Sequence, residues 1–122
     1  MSEHLALIIE DNQDLATIIA HALQAAGFET SVVKDGQRVL AQLEVSVPNV
    51  VILDLHLANM SGEAILEEIA TDERLGETHV IIATADPGLA DRLKHHADEV
   101  LLKPITFREL RRLAASLAPQ PV

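Results

Sequence analysis

Short runs of aliphatic residues alternate along the chain with longer segments in which apolar residues recur at helical spacing. This alternation is typical of βαβ units that wind around a parallel sheet. Five strand–helix pairs can be distinguished in this way. The predicted strands are Leu5–Ile9, Phe28–Val33, Val50–Leu53, Val80–Ala83 and Val100–Leu102.

The second of these runs differs from the others because Glu29, Thr30 and Ser31 interrupt it. Strands inside a parallel sheet are covered on both faces and form continuous apolar runs, as the other four do. We therefore predict that Phe28–Val33 lies at an edge of the sheet.

The helices are marked by periodicity and by their end signals. From Leu15 to Ala26 apolar residues recur at helical spacing, and Gly27 follows as a C-terminal stop. Asp86 before a proline predicts an N-cap, and a T-x-x-E capping box begins at Thr106. The further helices are predicted over about Gly36–Glu44, Ser61–Thr71, Pro87–His95 and Phe107–Leu117.

Length and composition fit one domain, because 122 residues with 48% hydrophobic content can form a single core. We place this domain at residues 1–118 and regard 119–122 as a C-terminal tail or the start of a linker. The N-terminus lacks the features of a signal peptide, and no apolar run approaches the roughly 20 residues that span a bilayer. The expectation is a cytoplasmic protein without membrane attachment.

The amino-acid composition and the net charge exclude several kinds of site and binding partner. The chain contains no cysteine, which excludes disulfides and thiolate metal sites, and its net charge is -10. Contacts to nucleic-acid phosphates need clustered Lys and Arg, so we do not expect this domain to bind nucleic acid directly. Proteins and cations are the expected partners.

Polar residues follow the predicted strands at their carboxyl ends, which share one edge of an open parallel sheet. Glu10 and Asp11 follow the first strand and Asp54 the third, while Thr84 and Lys103 follow the last two. If the first and third strands are neighbours, three carboxylates converge, and their mutual repulsion calls for a cation. An oxygen-only ligand set with open positions suits Mg²⁺.

Each of these residues also has an ordinary structural explanation. A Glu-Asp pair after a strand is often a polar loop that caps the next helix, and threonine is common in strands. Asp54 is the most informative, because a strand buried on both faces rarely ends on a charge. The combination is much more specific than any single member.

In this combination the chain resembles the receiver domain of bacterial two-component response regulators, from Leu5 to about Leu117. The resemblance implies an α/β fold, a single doubly wound (βα)5 domain with a flavodoxin-like five-stranded parallel sheet in the order 2-1-3-4-5. It rests on Glu10-Asp11, Asp54, Gly62 eight residues later, Thr84-Ala85 and Lys103-Pro104.

The resemblance also implies a metal-dependent phosphoacceptor site. Asp54 would accept a phosphoryl group from a sensor histidine kinase or a histidine phosphotransfer protein. Glu10, Asp11 and Asp54 would hold Mg²⁺, or Mn²⁺ in its place, and the backbone carbonyl of His56 would complete the protein ligands.

Thr84 and Lys103 would contact the phosphoryl group. Such a domain catalyses its own phosphorylation and dephosphorylation without being a conventional enzyme. Its output is a changed surface that an output protein or domain recognises.

The chain departs from the family pattern in several places. Val100 stands where a switch aromatic is usual, and Ala58 stands where the loop after the acceptor usually has a proline. The segment from Thr84 to Lys103 is also about three residues short, which predicts a fourth helix truncated by nearly one turn. We therefore expect atypical output coupling through a remodelled or different face.

His56 and Asp86 occupy positions that tune dephosphorylation in the family. One hypothesis is that they pair across the mouth of the site and restrict water. The alternative is that both are exposed polar residues with no effect on the lifetime of the phosphorylated form.

Three other functions compete with this interpretation. A flavodoxin-type cofactor binder would need a neutral loop after the first strand, whereas Glu10-Asp-Asn-Gln-Asp14 repels phosphate. A small Asp-x-Asp phosphatase would need a second acid at His56 and a region for substrate specificity. A receiver-like scaffold that binds partners without phosphorylation remains the main alternative.

Overall fold

The chain folds into alternating strands and helices, as its hydrophobic pattern predicts. A computed structural model describes residues 4–57 and 60–118. Its strands are β1 (Leu5–Ile9), β2 (Glu29–Val33), β3 (Val50–Asp54), β4 (His79–Thr84) and β5 (Glu99–Leu102). Its α-helices are α1 (Gln13–Ala25), α2 (Gly36–Val45), α3 (Gly62–Thr71), α4 (Pro87–Leu93) and α5 (Phe107–Leu117).

The five strands form one parallel sheet in the order β2-β1-β3-β4-β5. The predicted fold class is therefore confirmed, and so is the edge position of the second strand. β1 lies directly beside β3, with Ile9 opposite Leu53 in the ladder. This pairing brings the carboxyl ends of the two strands together.

Two apolar cores cover the two faces of the sheet, because successive residues of a strand point to opposite faces. In β1, Ala6 and Ile8 face the core formed with α1 and α5. Leu7 and Ile9 face the second core, formed with α2, α3 and α4. No helix among residues 4–57 and 60–118 is long and apolar enough to cross a bilayer.

The predicted helix ends are largely confirmed. The N–H of Leu89 donates to Asp86 Oδ1 at 3.0 Å, and Thr106 and Glu109 form the complete capping box that begins α5. Gly27 follows α1 with a φ of 107°, a left-handed conformation that favours glycine.

Several boundaries differ from the sequence prediction by one or two residues. Phe28 precedes β2, and β3 extends through Asp54. The helix predicted to His95 ends at Leu93, and a 3-10 turn (Lys94–His96) follows because the chain must enter β5 six residues after Leu93.

With seven residues, α4 is the shortest α-helix in the described part of the chain, as predicted from the short segment before Lys103. Two other predictions, the loop position Ala58 and the tail 119–122, lie outside the described residues.

The capping box makes a specific prediction about stability. Thr106→Ala removes the hydroxyl that accepts the Glu109 N–H at 3.1 Å, so the free energy of unfolding should fall by about 1 kcal/mol in urea denaturation. Thr106→Ser retains the hydroxyl and should lose much less. Equal losses for both variants would assign the effect to the methyl group instead.

Candidate functional site

Asp54 is the last residue of β3, the central strand of the sheet. Every residue of this strand is buried, and Asp54 itself is only 4% exposed. The N–H of His56 donates to Asp54 Oδ1 at 3.1 Å, so the first residues of the following loop hold the carboxylate at the sheet edge. The four apolar residues of β3 thus deliver a buried carboxylate to this edge.

Glu10 follows β1 and lies beside Asp54, because β1 and β3 are neighbours. Glu10 is 2% exposed, and its Oε2 accepts the N–H of Asn12 at 3.1 Å. The side chain of Asn12 caps α1 by accepting the N–H of Leu15 at 2.9 Å. Asn12 therefore orients the buried glutamate and begins the helix, a role that the sequence analysis missed.

Glu10, Asp11 and Asp54 form the acidic cluster predicted from the strand ends. One carboxylate oxygen from each lies within 4.8 Å of the others. Glu10 and Asp54 are buried, whereas Asp11 is exposed at the open side of the site.

Lys103, directly after β5, supplies the positive charge of the site. Its Nζ lies 2.8 Å from Glu10 Oε1 and 3.6 Å from Asp54 Oδ2. The Lys103 N–H donates to the carbonyl of Thr84 at 2.8 Å, which fixes the backbone where the side chain begins. The Lys103-Pro104 peptide bond is cis.

Burial and charge act in opposite directions on these groups. Burial raises the pKa of the Glu10 carboxyl, although Lys103 and the Asn12 N–H favour the ionised form and partly offset this effect. Burial alone would lower the pKa of Lys103, but the Glu10 and Asp54 carboxylates outweigh it and the pKa of the ammonium is raised. The lysine therefore stays charged.

The three carboxylates of Glu10, Asp11 and Asp54 form a ligand set that fits a metal ion. Glu10 Oε1 is buried and has no well-aligned hydrogen-bond donor, although the Lys103 ammonium lies close to it. Burying such an oxygen is costly, and the ammonium offsets part of that cost. Carboxylate oxygens with one exposed member suit Mg²⁺, which takes few protein ligands and keeps several waters.

Thr84 ends β4 and is completely buried. Its Oγ1 accepts the N–H of Asp86 at 3.1 Å. The hydroxyl therefore faces the turn that leads into α4, on the same edge of the sheet as Lys103.

The structure gives Asp86 a capping role at the start of α4. In the described part of the chain no ion pair joins His56 to Asp86, and His56 is exposed. The two residues flank the site on the loops after β3 and β4, but the structure does not bring them together in a pair.

Val100 lies in β5 opposite Ile82 and packs against the second core. Among the residues that the structure describes, none places an aromatic ring between α4 and β5, where a shallow cavity of about 180 Å³ is open. It is lined by Pro87, Ala90, Asp91, Lys94, Val100 and Leu102.

Comparison with known proteins agrees with this geometry. The sequence profile of the response regulator receiver domain matches residues 6–115. The chain belongs to the response regulator receiver family. The acidic cluster of this receiver domain thus lies at the site predicted from its strand ends.

Two curated relatives illustrate the range of similarity. The receiver domain is 31% identical to the "Probable methanogenesis regulatory protein FilR2" of Methanothrix harundinacea, over 88% of this chain and 77% of the relative. It is 37% identical to the sensory transduction protein RegX3 of Mycolicibacterium smegmatis, over 85% of this chain and 46% of that protein. The chain thus spans about half the length of RegX3.

Solved structures share the fold. The receiver domain of the sensor histidine kinase PA1611 from Pseudomonas aeruginosa is 25% identical, with a TM-score of 0.81 over 96% of this chain and 98% of that one. That structure has a magnesium ion coordinated in its active-site cleft. The chemotaxis response regulator CheY4 of Vibrio cholerae is 22% identical with a TM-score of 0.84, over 95% and 99% of the two chains, which shows the fold alone.

The raised pKa of Glu10 predicts how stability depends on pH without metal. The folded state holds the Glu10 proton more tightly than the unfolded state, so folding takes up a proton above the ordinary pKa of 4.5. The wild-type protein should therefore lose stability relative to Glu10→Gln as the pH rises through the window above that value. Urea unfolding in EDTA across this pH range measures the difference.

Glu67→Gln on the exposed face of α3 is the matched control, and its stability relative to wild type should not follow the same curve. A difference between Glu10→Gln and wild type that is constant with pH would contradict the buried-carboxylate argument.

Proposed function

We propose that this receiver domain accepts a phosphoryl group on Asp54 in a Mg²⁺-dependent reaction and thereby alters a surface that other proteins recognise. The observation that carries the proposal is that the Asp54 carboxylate lies close to both an acidic pair and an ammonium group. One oxygen each of Glu10, Asp11 and Asp54 lie within 4.8 Å of one another, and Lys103 Nζ lies 3.6 Å from Asp54 Oδ2.

The proposed reaction is nucleophilic attack by an Asp54 carboxylate oxygen on the phosphorus of a phosphohistidine. The new P–O bond gives an acyl phosphate, while the P–N bond breaks and the donor imidazole leaves with the bonding electrons. Because such transfer depends mostly on positioning and charge neutralisation, the fixed carboxylate at the end of β3 is the main contribution of the protein.

The surrounding residues would neutralise and orient the transferred group. Glu10, Asp11 and Asp54, with the His56 carbonyl, would hold Mg²⁺, which supplies charge stabilisation for the phosphoryl oxygens when bound. The Lys103 ammonium would pair with a phosphoryl oxygen. The Thr84 hydroxyl accepts a hydrogen bond from Asp86, so its own proton is available to donate to another.

The partners that follow from this proposal are proteins. A sensor histidine kinase or a histidine phosphotransfer protein would supply the phosphoryl group, and an output protein or domain would respond to it. Coupling to the output would not use an aromatic rotation at Val100, since valine is stiff at χ1 and too small for such a movement.

The second candidate function is a receiver-like scaffold that binds partners without phosphorylation. Val100 and the open cavity beside α4 favour it, because part of the usual switch is replaced there. The intact acidic cluster and the nearby lysine favour the first proposal, in which Asp54 is phosphorylated.

The first test is incubation with Mg²⁺ and acetyl phosphate, followed by intact-mass measurement. The wild type should gain one phosphoryl group, and Asp54→Asn should gain none because the nucleophile is lost. Asp91→Asn, which removes an exposed carboxylate on α4, is the matched control and should be modified like the wild type. An unmodified wild type at high donor concentration would favour the scaffold.

A second test concerns the lifetime of the acyl phosphate. His56→Ala and Asp86→Asn should each shorten the half-life of the phosphorylated form if the two side chains restrict water at the mouth of the site. Asparagine is used at position 86 because it caps a helix as well as aspartate does, so α4 should keep its start. Unchanged half-lives in both variants would show that these two side chains do not control the lifetime of the acyl phosphate.

A further inference from the structure

The first residue of α2 is in direct contact with the loop that follows Asp54. Gly36 is buried at the start of α2, and a Cβ placed on it would lie 2.5 Å from the Cβ of Met60. The same Cβ would lie 3.2 Å from the Met60 carbonyl oxygen and 3.3 Å from its Cα. These separations leave no room for any side chain at position 36 unless the Met60 backbone moves.

Glycine is needed at position 36 for space and not for backbone conformation. Gln37 donates its N–H to Asp35 Oδ1 at 2.9 Å, so α2 begins with an ordinary N-cap. Among the described glycines, Gly27 has a positive φ and Gly36 does not. At an unobstructed helical position alanine is favoured over glycine, so the contact with Met60 is the reason for an absent side chain.

The same loop is closed from its other end. The Gly62 N–H donates to the Leu55 carbonyl at 3.2 Å, and a Cβ on Gly62 would lie only 2.4 Å from the Cα of Leu55. Ser61 then begins α3 by accepting the N–H of Ala64 at 3.1 Å. These contacts anchor Gly62, two residues after Met60, to the backbone of Leu55.

We propose that Gly36 is a positioning residue for the phosphoacceptor loop. By allowing Met60 to pack on the α2 backbone, it keeps residues 54–57 and 60–62 in the place where the Asp54 carboxylate lies beside the acidic pair. The expected effect of Gly36 on phosphorylation rests on the proposed function. Its effect on the position of the loop does not.

The test compares four variants of the chain: Gly36→Ala, Met60→Gly, the double variant and Gly76→Ala. Gly36→Ala should lower the affinity for Mg²⁺ or Mn²⁺, measured by calorimetry, by about tenfold, the effect typical of residues that orient metal ligands. The acetyl phosphate reaction should slow by a comparable factor at a fixed Mg²⁺ concentration.

Met60→Gly removes the closest atom, so the double variant should recover most of the metal affinity lost in Gly36→Ala. Gly76→Ala is the matched control, because its Cβ would meet only the Glu73 carbonyl oxygen at 3.4 Å, an ordinary contact. It should bind metal like the wild type.

Amide resonances in NMR spectra give a readout that needs neither metal nor phosphorylation. The His56 N–H, which donates to Asp54, should shift in Gly36→Ala and return towards its wild-type position in the double variant. A shift with this recovery supports the inference even if the wild type is never phosphorylated. A variant that is folded but has unchanged His56 resonances and metal affinity would overturn it, and so would a loss of stability alone.

Discussion

The burial of two carboxylates at the ends of neighbouring apolar strands is the constraint on which the site depends. Glu10 and Asp54 are almost inaccessible to water, and an uncompensated charge in such a place would cost several kcal/mol. The protein offsets this cost with one ammonium group and with N–H donors from the loops that follow each strand. The position of Lys103 and the paths of both loops therefore serve the same purpose, which is to stabilise two buried negative charges.

Most of the fold was predictable because it depends on patterns that are local in the sequence. Continuous apolar runs indicated four strands, and Glu29-Thr-Ser31 identified an edge strand. Capping residues such as Thr106 marked helix starts through bonds that span only three residues. The end of α4 was missed by two residues, since it is set by the distance to β5 and not by a signal in Lys94-His-His96.

The candidate site was predictable to the extent that topology determines it. Once β1 lies beside β3, the residues after those strands must converge, and Glu10, Asp11 and Asp54 do so. The contact between Gly36 and Met60 was not predictable, because it depends on how closely two segments pack that are distant in sequence. The capping role of Asp86 was predictable from the proline that follows it, whereas its position relative to His56 depends on how two separate loops lie at the sheet edge.

The hydrogen bond between Thr84 and Asp86 has a consequence for how a signal could leave the site. The oxygen proposed to reach a phosphoryl group is the same atom that accepts the N–H of the residue capping α4. A hydroxyl has one proton and two lone pairs at fixed tetrahedral angles. Rotating the hydroxyl to donate its proton to one neighbour therefore also changes the direction of the lone pair that accepts from the other. In a chain with no ring at Val100, this shared atom would join the proposed phosphorylation to the start of a seven-residue helix through the side-chain torsion of Thr84.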